Sequence, residues 1–373
     1  MRMLLRSLLL VVAPVVVVLN QTAALPRFSS STGAKCQSCH VNPSGTGMRQ
    51  LFGAQYGRET LPVPEWGTDM EIEDFTTLLT NFVGVGADVR TIYYYVQLPD
   101  TGGSSGKNSN AFWEMQGDLY LNFKLAKKVN VYFEKGLYSG FELFGMVSQL
   151  PAAGHVKVGK FVPNFGTRLD DHTAYIRHYT GFSPESSPRP ELTGIEAGVS
   201  PGWFSAFAGV YNAEDGFGYA VGNSKAYLVR ADGLFELGKD MHLSLGANMF
   251  GTTTSGGEKQ SLYGGLGSFS IGDFTIFGEG DMLQTKHSSG TITGYVTYVE
   301  ANYVVTPGVD LKVAYDFYDP DKDVKDGAMS RYSFGVEFFP VSGVEVRPMY
   351  RVLVEEPENY SNNEFQIMLH FYL

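Results

Sequence analysis

The sequence predicts an all-β chain, a transmembrane antiparallel β-barrel of about sixteen strands, preceded by a small N-terminal segment that carries both of its cysteines. Three observations predict it. From about residue 80 onward, segments of roughly ten residues alternate apolar and polar side chains with period two. The connections between them are alternately short and long, as in barrels with tight turns at one end and loops at the other. The chain also closes on an alternating stretch that runs to its last residue.

The N-terminus comes first. Arg2 and Arg6 precede an unbroken apolar run from Leu8 to Leu19, followed by a polar break and Thr22-Ala23-Ala24. This is the n-region, h-region and small-residue site of a secretory signal peptide over residues 1–24, with the mature chain starting near Leu25. The run is too short to cross a bilayer as a helix, and no later stretch is long and apolar enough to do so. A net charge of −11 excludes the concentrated basic patch that nucleic-acid backbones require, so no nucleic-acid partner is expected.

Residues 25–78 form a separate unit. Its two cysteines sit in Cys36-Gln37-Ser38-Cys39-His40, the arrangement that attaches one covalent c-type haem: two thiols form thioethers with the vinyl groups and the following imidazole ligates the iron. A redox dithiol or disulfide lacks a reason for the adjoining histidine. A zinc site would need a second ligand pair. The unit offers too little apolar surface to bury a haem by itself, with one short helix expected around Met48 to Tyr56. It is therefore expected as a plug in, or just below, the barrel mouth. Pro43, Gly45 and Gly47 turn the chain after His40 and bring Met48 back as a candidate second axial ligand. A methionine there would raise the haem potential relative to histidine.

Residues 79–373 carry the barrel pattern. Val309, Leu311, Val313, Tyr315 and Phe317 oppose Asp310, Lys312 and Asp316; Tyr332, Phe334, Val336 and Phe338 oppose Arg331, Ser333 and Glu337. Val344, Val346, Tyr350 and Val352 oppose Glu345, Arg347 and Arg351. Short connections fall at 126–128, 200–202, 272–273 and 306–308. Long ones are expected near 97–110, 162–191, 213–223, 251–259, 284–292, 318–330 and 355–363. An even strand count leaves both barrel ends, and with them the N-terminal unit, on the periplasmic side. In the closing strand Phe365, Ile367, Leu369, Phe371 and Leu373 alternate with Glu364, Gln366, Met368, His370 and Tyr372, and the abundant Tyr and Phe suit interfacial girdles.

This order of parts, a signal peptide, one Cys36-x-x-Cys39-His40 site in a short unit and then a barrel, resembles the fused monohaem cytochrome–porins of outer membranes, an extracellular iron-oxidase-like family. The resemblance covers nearly the whole chain. It implies electron transfer across the outer membrane, with Cys36 and Cys39 as haem attachments and His40 as an axial ligand. It also implies a periplasmic cytochrome or other electron carrier on one side, an extracellular metal ion or redox partner such as ferrous iron on the other, and outer-membrane lipid around the barrel. The stretch from Asn42 to Arg49 does not match the iron oxidases of that group.

Other candidates lie in the barrel. His155, His242 and His370 fall on lumen faces near the short-turn ends of their strands, within reach of a plug, and compete with Met48 as second ligand. In the longest loop, Asp170, Asp171 and His172 offer carboxylate and imidazole ligands for an extracellular divalent ion. Asp319, Asp321, Asp323 and Asp326 attract cations to the outer face, but their spacing lacks the glycine and terminal glutamate of a calcium loop. Three functions follow: an electron conduit, a diffusion porin whose haem unit senses redox state or gates the lumen, and a barrel hydrolase. The last lacks any Gly-x-Ser-x-Gly nucleophile motif.

Overall fold

The computed structural model describes residues 26–67, 77–97, 108–137, 140–184, 186, 190–213, 223–253, 257–359 and 362–373. The expected signal peptide lies outside them. Within them four short helices precede the sheet: α1 (Pro26–Thr32), α2 (Cys36–Cys39), α3 (Leu51–Glu59) and α4 (Pro64–Gly67). The helix expected at residues 48–56 is α3, displaced three residues along the chain because the backbone around Thr46 and Gly47 is left-handed and Gln50 is still extended.

Sixteen antiparallel strands follow and close into a barrel. They are β1 (Val83–Val96), β2 (Ser109–Ala126), β3 (Val129–Gly136), β4 (Phe141–Leu150), β5 (Gly154–Phe161), β6 (Leu192–Val199), β7 (Phe204–Asn212) and β8 (Lys225–Gly238). The second half is β9 (Met241–Thr253), β10 (Lys259–Ile271), β11 (Phe274–His287), β12 (Gly290–Thr306), β13 (Val309–Asp319), β14 (Met329–Phe338), β15 (Val344–Glu355) and β16 (Glu364–Tyr372). Each strand pairs with its sequence neighbours, and β16 closes on β1 from Asp88↔Tyr372 to Val96↔Glu364. Closure leaves no unpaired edge, which is what a sheet needs where lipid offers no hydrogen bonds.

The two faces of the sheet are inverted relative to a water-soluble protein. On β13 the charged set is inside, with Asp310, Lys312 and Asp316 all buried, while Leu311 and Val313 are 47% and 48% exposed. The alternation read from the sequence thus places polar side chains in the lumen and apolar ones on the outer wall. β14, β15 and β16 repeat it: Arg331, Glu337, Arg347 and His370 are buried, and Phe334, Tyr350 and Phe371 are exposed. An outer wall of this kind is solvated by lipid. Val313→Arg, near the middle of β13, is expected to cost about 2–4 kcal/mol, measured by urea titration of the barrel folded in lipid vesicles.

The short connections stand where the sequence predicts, at 127–128, 200–203, 272–273 and 307–308. One long loop does not. Residues 284–292 were expected as a loop, but β11 runs to His287 and β12 begins at Gly290, leaving a two-residue turn. Lys286, His287 and Ser288 read as loop because a strand that projects beyond the apolar band is polar on both faces.

Candidate functional site

The N-terminal segment lies inside the barrel, and its contacts establish this. Between Arg27 and Val63 it touches strands all around the circumference, which a segment outside the wall cannot do. Arg27 pairs with Glu337 of β14 and, at 3.5 Å, with Asp310 of β13. Ser270 of β10 donates to the Ser30 carbonyl at 2.6 Å. Lys157 of β5 donates to Asn42 Oδ1 and Ser44 Oγ, both at 3.0 Å. The Met48 amide donates to the Tyr132 hydroxyl of β3 at 3.1 Å. Arg49 faces Asp88 of β1 at 3.6 Å and lies over the ring of Tyr372 of β16. The segment sits at the short-turn end, where Lys35 donates to the carbonyls of Ser200 and Phe204, and the Val63 amide to that of Phe339.

Its centre is the Cys-x-x-Cys-His motif. The single turn of α2 puts Cys36 and Cys39, three residues apart, on one side of the helix. His40 follows in extended conformation, its amide donating to the Cys36 carbonyl at 3.0 Å. Cys39 is buried against α3, where Gly53 allows the approach: a Cβ there would stand 2.5 Å from the Cys39 carbonyl oxygen. Gly47 turns the chain with φ of +65° directly beneath the Tyr132 hydroxyl, a place no side chain fits. The turn carries the Gly47 carbonyl back to His40 Nδ1 at 3.3 Å. A carbonyl only accepts, so Nδ1 carries a proton in this contact.

Opposite the plug, residues 162–184 of the connection between β5 and β6 fold back into the lumen as a lid, with α5 (Tyr175–Thr180) within it. The structure therefore moves Asp170, Asp171 and His172 from the open loop that the sequence suggests to the inside of the barrel. Asp170 pairs with Arg347 of β15 at 2.7 Å, and Asp171 with Arg351 at 2.5 Å. Burial alone would raise both carboxyls, but the arginines outweigh it and hold them well below the usual carboxylate range. Their charge is spent on clamping the lid rather than held open for an ion. His172 is buried and its carbonyl accepts from Ser183 Oγ at 3.0 Å.

Between plug and lid lies a cavity with an empty volume of about 1760 Å³, counting the part open to solvent. Cys36, Gln37 and His40 line it from the plug, Arg168 and His172 from the lid, and Arg90 and Arg230 from the wall. Burial pushes the Cys36 thiol up, opposed by Arg230 and Arg168 nearby. Burial also brings Lys35 down to about 8.

These residues fit a c-type haem. Cys36 and His40 face one cavity, while the Cys39 thiol is buried against α3. Arg90 and Arg168, on its wall, each keep a buried Nε–H without an acceptor, as suits the two anionic propionates of the group. Met48 is placed elsewhere: its side chain is buried on the wall, its terminal methyl in the space that a Cβ on Gly84 of β1 would fill. Of the histidines, His370 is held between Asp88 and Glu345 at 2.8 and 2.9 Å. His242 packs on Gly33 of the plug. His155 is buried beside Phe207 with neither ring nitrogen hydrogen-bonded. Sequence reasoning missed the clamp of Arg331, Arg347 and Arg351. Three lumen-face arginines on adjoining strands, with two consecutive aspartates in the longest loop, were its only trace.

No family model and no curated relative matches the chain. Among solved structures it is similar to an anion-selective porin from Comamonas acidovorans, with a TM-score of 0.58 at 15% identity over 78% of this chain and 99% of that one. It is also similar to a loop-deletion mutant of OmpT, an outer membrane protein of Vibrio cholerae, with a TM-score of 0.55 at 15% identity over 78% and 99%. OprB of Pseudomonas putida gives 0.57 at 7% identity over 78% and 94%. At such identities the likeness shows the fold alone, a porin-like barrel of sixteen strands, and carries nothing about the Cys-x-x-Cys-His segment.

Proposed function

We propose that this chain is an outer-membrane barrel of the porin fold that holds one covalent c-type haem in its lumen and passes electrons across the membrane. The carrying observation is that the Cys-x-x-Cys-His segment is seated inside the barrel with Cys36 and His40 on the wall of an internal cavity. Cys36 and Cys39 attach the group, and His40, its Nδ1–H fixed on the Gly47 carbonyl, ligates through Nε2. When bound, the haem supplies a one-electron centre. Arg90 and Arg168 on the cavity wall would offset its propionate charge.

The apolar band of such a barrel is about 25 Å tall, more than one haem spans. Electrons therefore enter and leave through partners: a periplasmic carrier at the short-turn end beside the plug, and an extracellular donor such as ferrous iron, or another redox partner, at the loop end.

The fold comparisons favour a second reading over this one. Porins are the proteins this barrel resembles, and a diffusion channel whose plug senses redox state or gates the lumen fits them directly. The two separate in one preparation, made from outer membranes of a host competent for c-type haem maturation. Covalent haem that titrates reversibly, in a protein silent in planar bilayers, is the expected result. An open ion-conducting channel without covalent haem overturns it in favour of the porin.

A further inference from the structure

On the lumen face below the lid, three neighbouring strands bring oxygen ligands to one notch. Gly264 of β10 stands directly opposite Asp281 of β11 on one side and Asn248 of β9 on the other. Having no Cβ, it leaves a gap into which both neighbours lean. Asp281 Oδ1 fills the place a Cβ would take, and Asn248 Oδ1 is 2.7 Å from that point. Two residues back along β11, Glu279 lies on the same face, with Asn248 Nδ2 donating to its Oε1 at 3.4 Å.

The notch is short of positive charge. Asp281 is 3% exposed and Asn248 6%. Asp281 takes no backbone or amide donor and meets only the Glu279 carboxyl beside it, and Asn248 Oδ1 accepts no hydrogen bond. Among the described residues no basic side chain forms an ion pair with Asp281, and Arg230, on the side of Glu279, is engaged with Asp232 at 2.8 Å. A buried carboxylate in this position is stable only when its charge is neutralised. The contrast is the group Asp170, Glu337 and Glu345, whose oxygens also converge but which Arg347 already neutralises at 2.7 to 3.3 Å.

We infer that Asp281, Asn248 and Glu279 bind a hard divalent cation of the calcium class in the barrel lumen. The donors are all oxygen, with no thiolate or imidazole, which selects hard ions over transition metals. Three protein ligands from a twisted wall make an irregular set completed by water, which calcium tolerates and magnesium resists. Glu279 also accepts the Thr167 amide of the lid at 2.5 Å, so the ion staples the lid to the wall. The inference stands apart from the haem reading.

The test uses the intact protein in detergent micelles, stripped with EDTA and titrated calorimetrically with calcium alone, alongside thermal unfolding with and without calcium. One buried site per chain and a calcium-dependent rise in Tm are expected. Asp281→Asn weakens that site by about tenfold or more, yet melts no lower than wild type in EDTA, because it also removes the unbalanced charge. Gly264→Ala, which keeps all three ligand residues but puts a Cβ where Asp281 Oδ1 now sits and so displaces it, weakens it too. The proposal is overturned by a wild-type protein indifferent to calcium, as when Asp281 and Glu279 share a proton. It is equally overturned by calcium binding that survives both substitutions, as ions held by exposed loop acids would.

Discussion

The Cys36→Ala/Cys39→Ala variant, expressed with the c-type haem maturation machinery, will lose all covalent haem while the barrel still folds. Thioether formation needs both sulfurs, and no other cysteine exists in the chain to replace them. The barrel is expected to survive because none of its sixteen strands depends on the motif. The Cys36 thiol faces the cavity, and losing the buried Cys39 sulfur leaves only a small void beside α3, worth about 1 kcal/mol. Haem staining after denaturing electrophoresis and the optical spectrum of the native protein read the result. A wild-type protein equally devoid of stain would remove the haem from the account and leave the porin reading. His40→Ala separates attachment from ligation: the stain persists and the spectrum changes.

The second large effect is expected at Lys157. Its ammonium and the Glu196 carboxylate are fully buried, 2.9 Å apart, where the plug crosses β5 and β6. The same ammonium holds Asn42 and Ser44, and Glu196 also accepts from the Tyr211 hydroxyl at 2.7 Å and the Asn164 amide of the lid at 3.1 Å. Lys157→Met strands a buried carboxylate and is expected to cost about 3–5 kcal/mol. It also unpins the plug, so channel openings appear in planar bilayers where the wild type is silent. Adding Glu196→Gln removes the stranded charge and restores most of the stability but not the pinning of Asn42 and Ser44. The two readouts therefore part company in the double variant. If both recovered together, the ion pair would serve the wall alone and not the plug.

How much of this was legible in the sequence follows from the range over which each feature is encoded. The faces of β13, β14, β15 and β16 were readable because alternation is a local property: each residue's side is set by its neighbour's. The attachment motif was readable for the same reason, since five consecutive residues carry its chemistry. Met48 shows the limit. Its nearness to His40 in sequence made it a candidate ligand, but its side chain is taken up by a gap at Gly84, on a strand that nothing near residue 48 announces. The turn at 288–289 shows another, since alternation fades as a signal where a strand leaves the apolar band.

The sequence by itself determined the closed antiparallel barrel, the inside and outside of its strands and a cysteine–histidine motif ahead of it, because each is written in short-range patterns of polarity and spacing. Only the tertiary structure decided that the motif lies within the lumen and that residues 162–184 fold in as its lid. Those outcomes rest on pairs such as Arg351 with Asp171 and Lys157 with Asn42, 180 and 115 residues apart along the chain. A polar segment has the same composition whether it stands in water or fills a polar lumen. What decides between them is whether the closed wall presents matching charges at matching depth, and that exists only once all sixteen strands are in register.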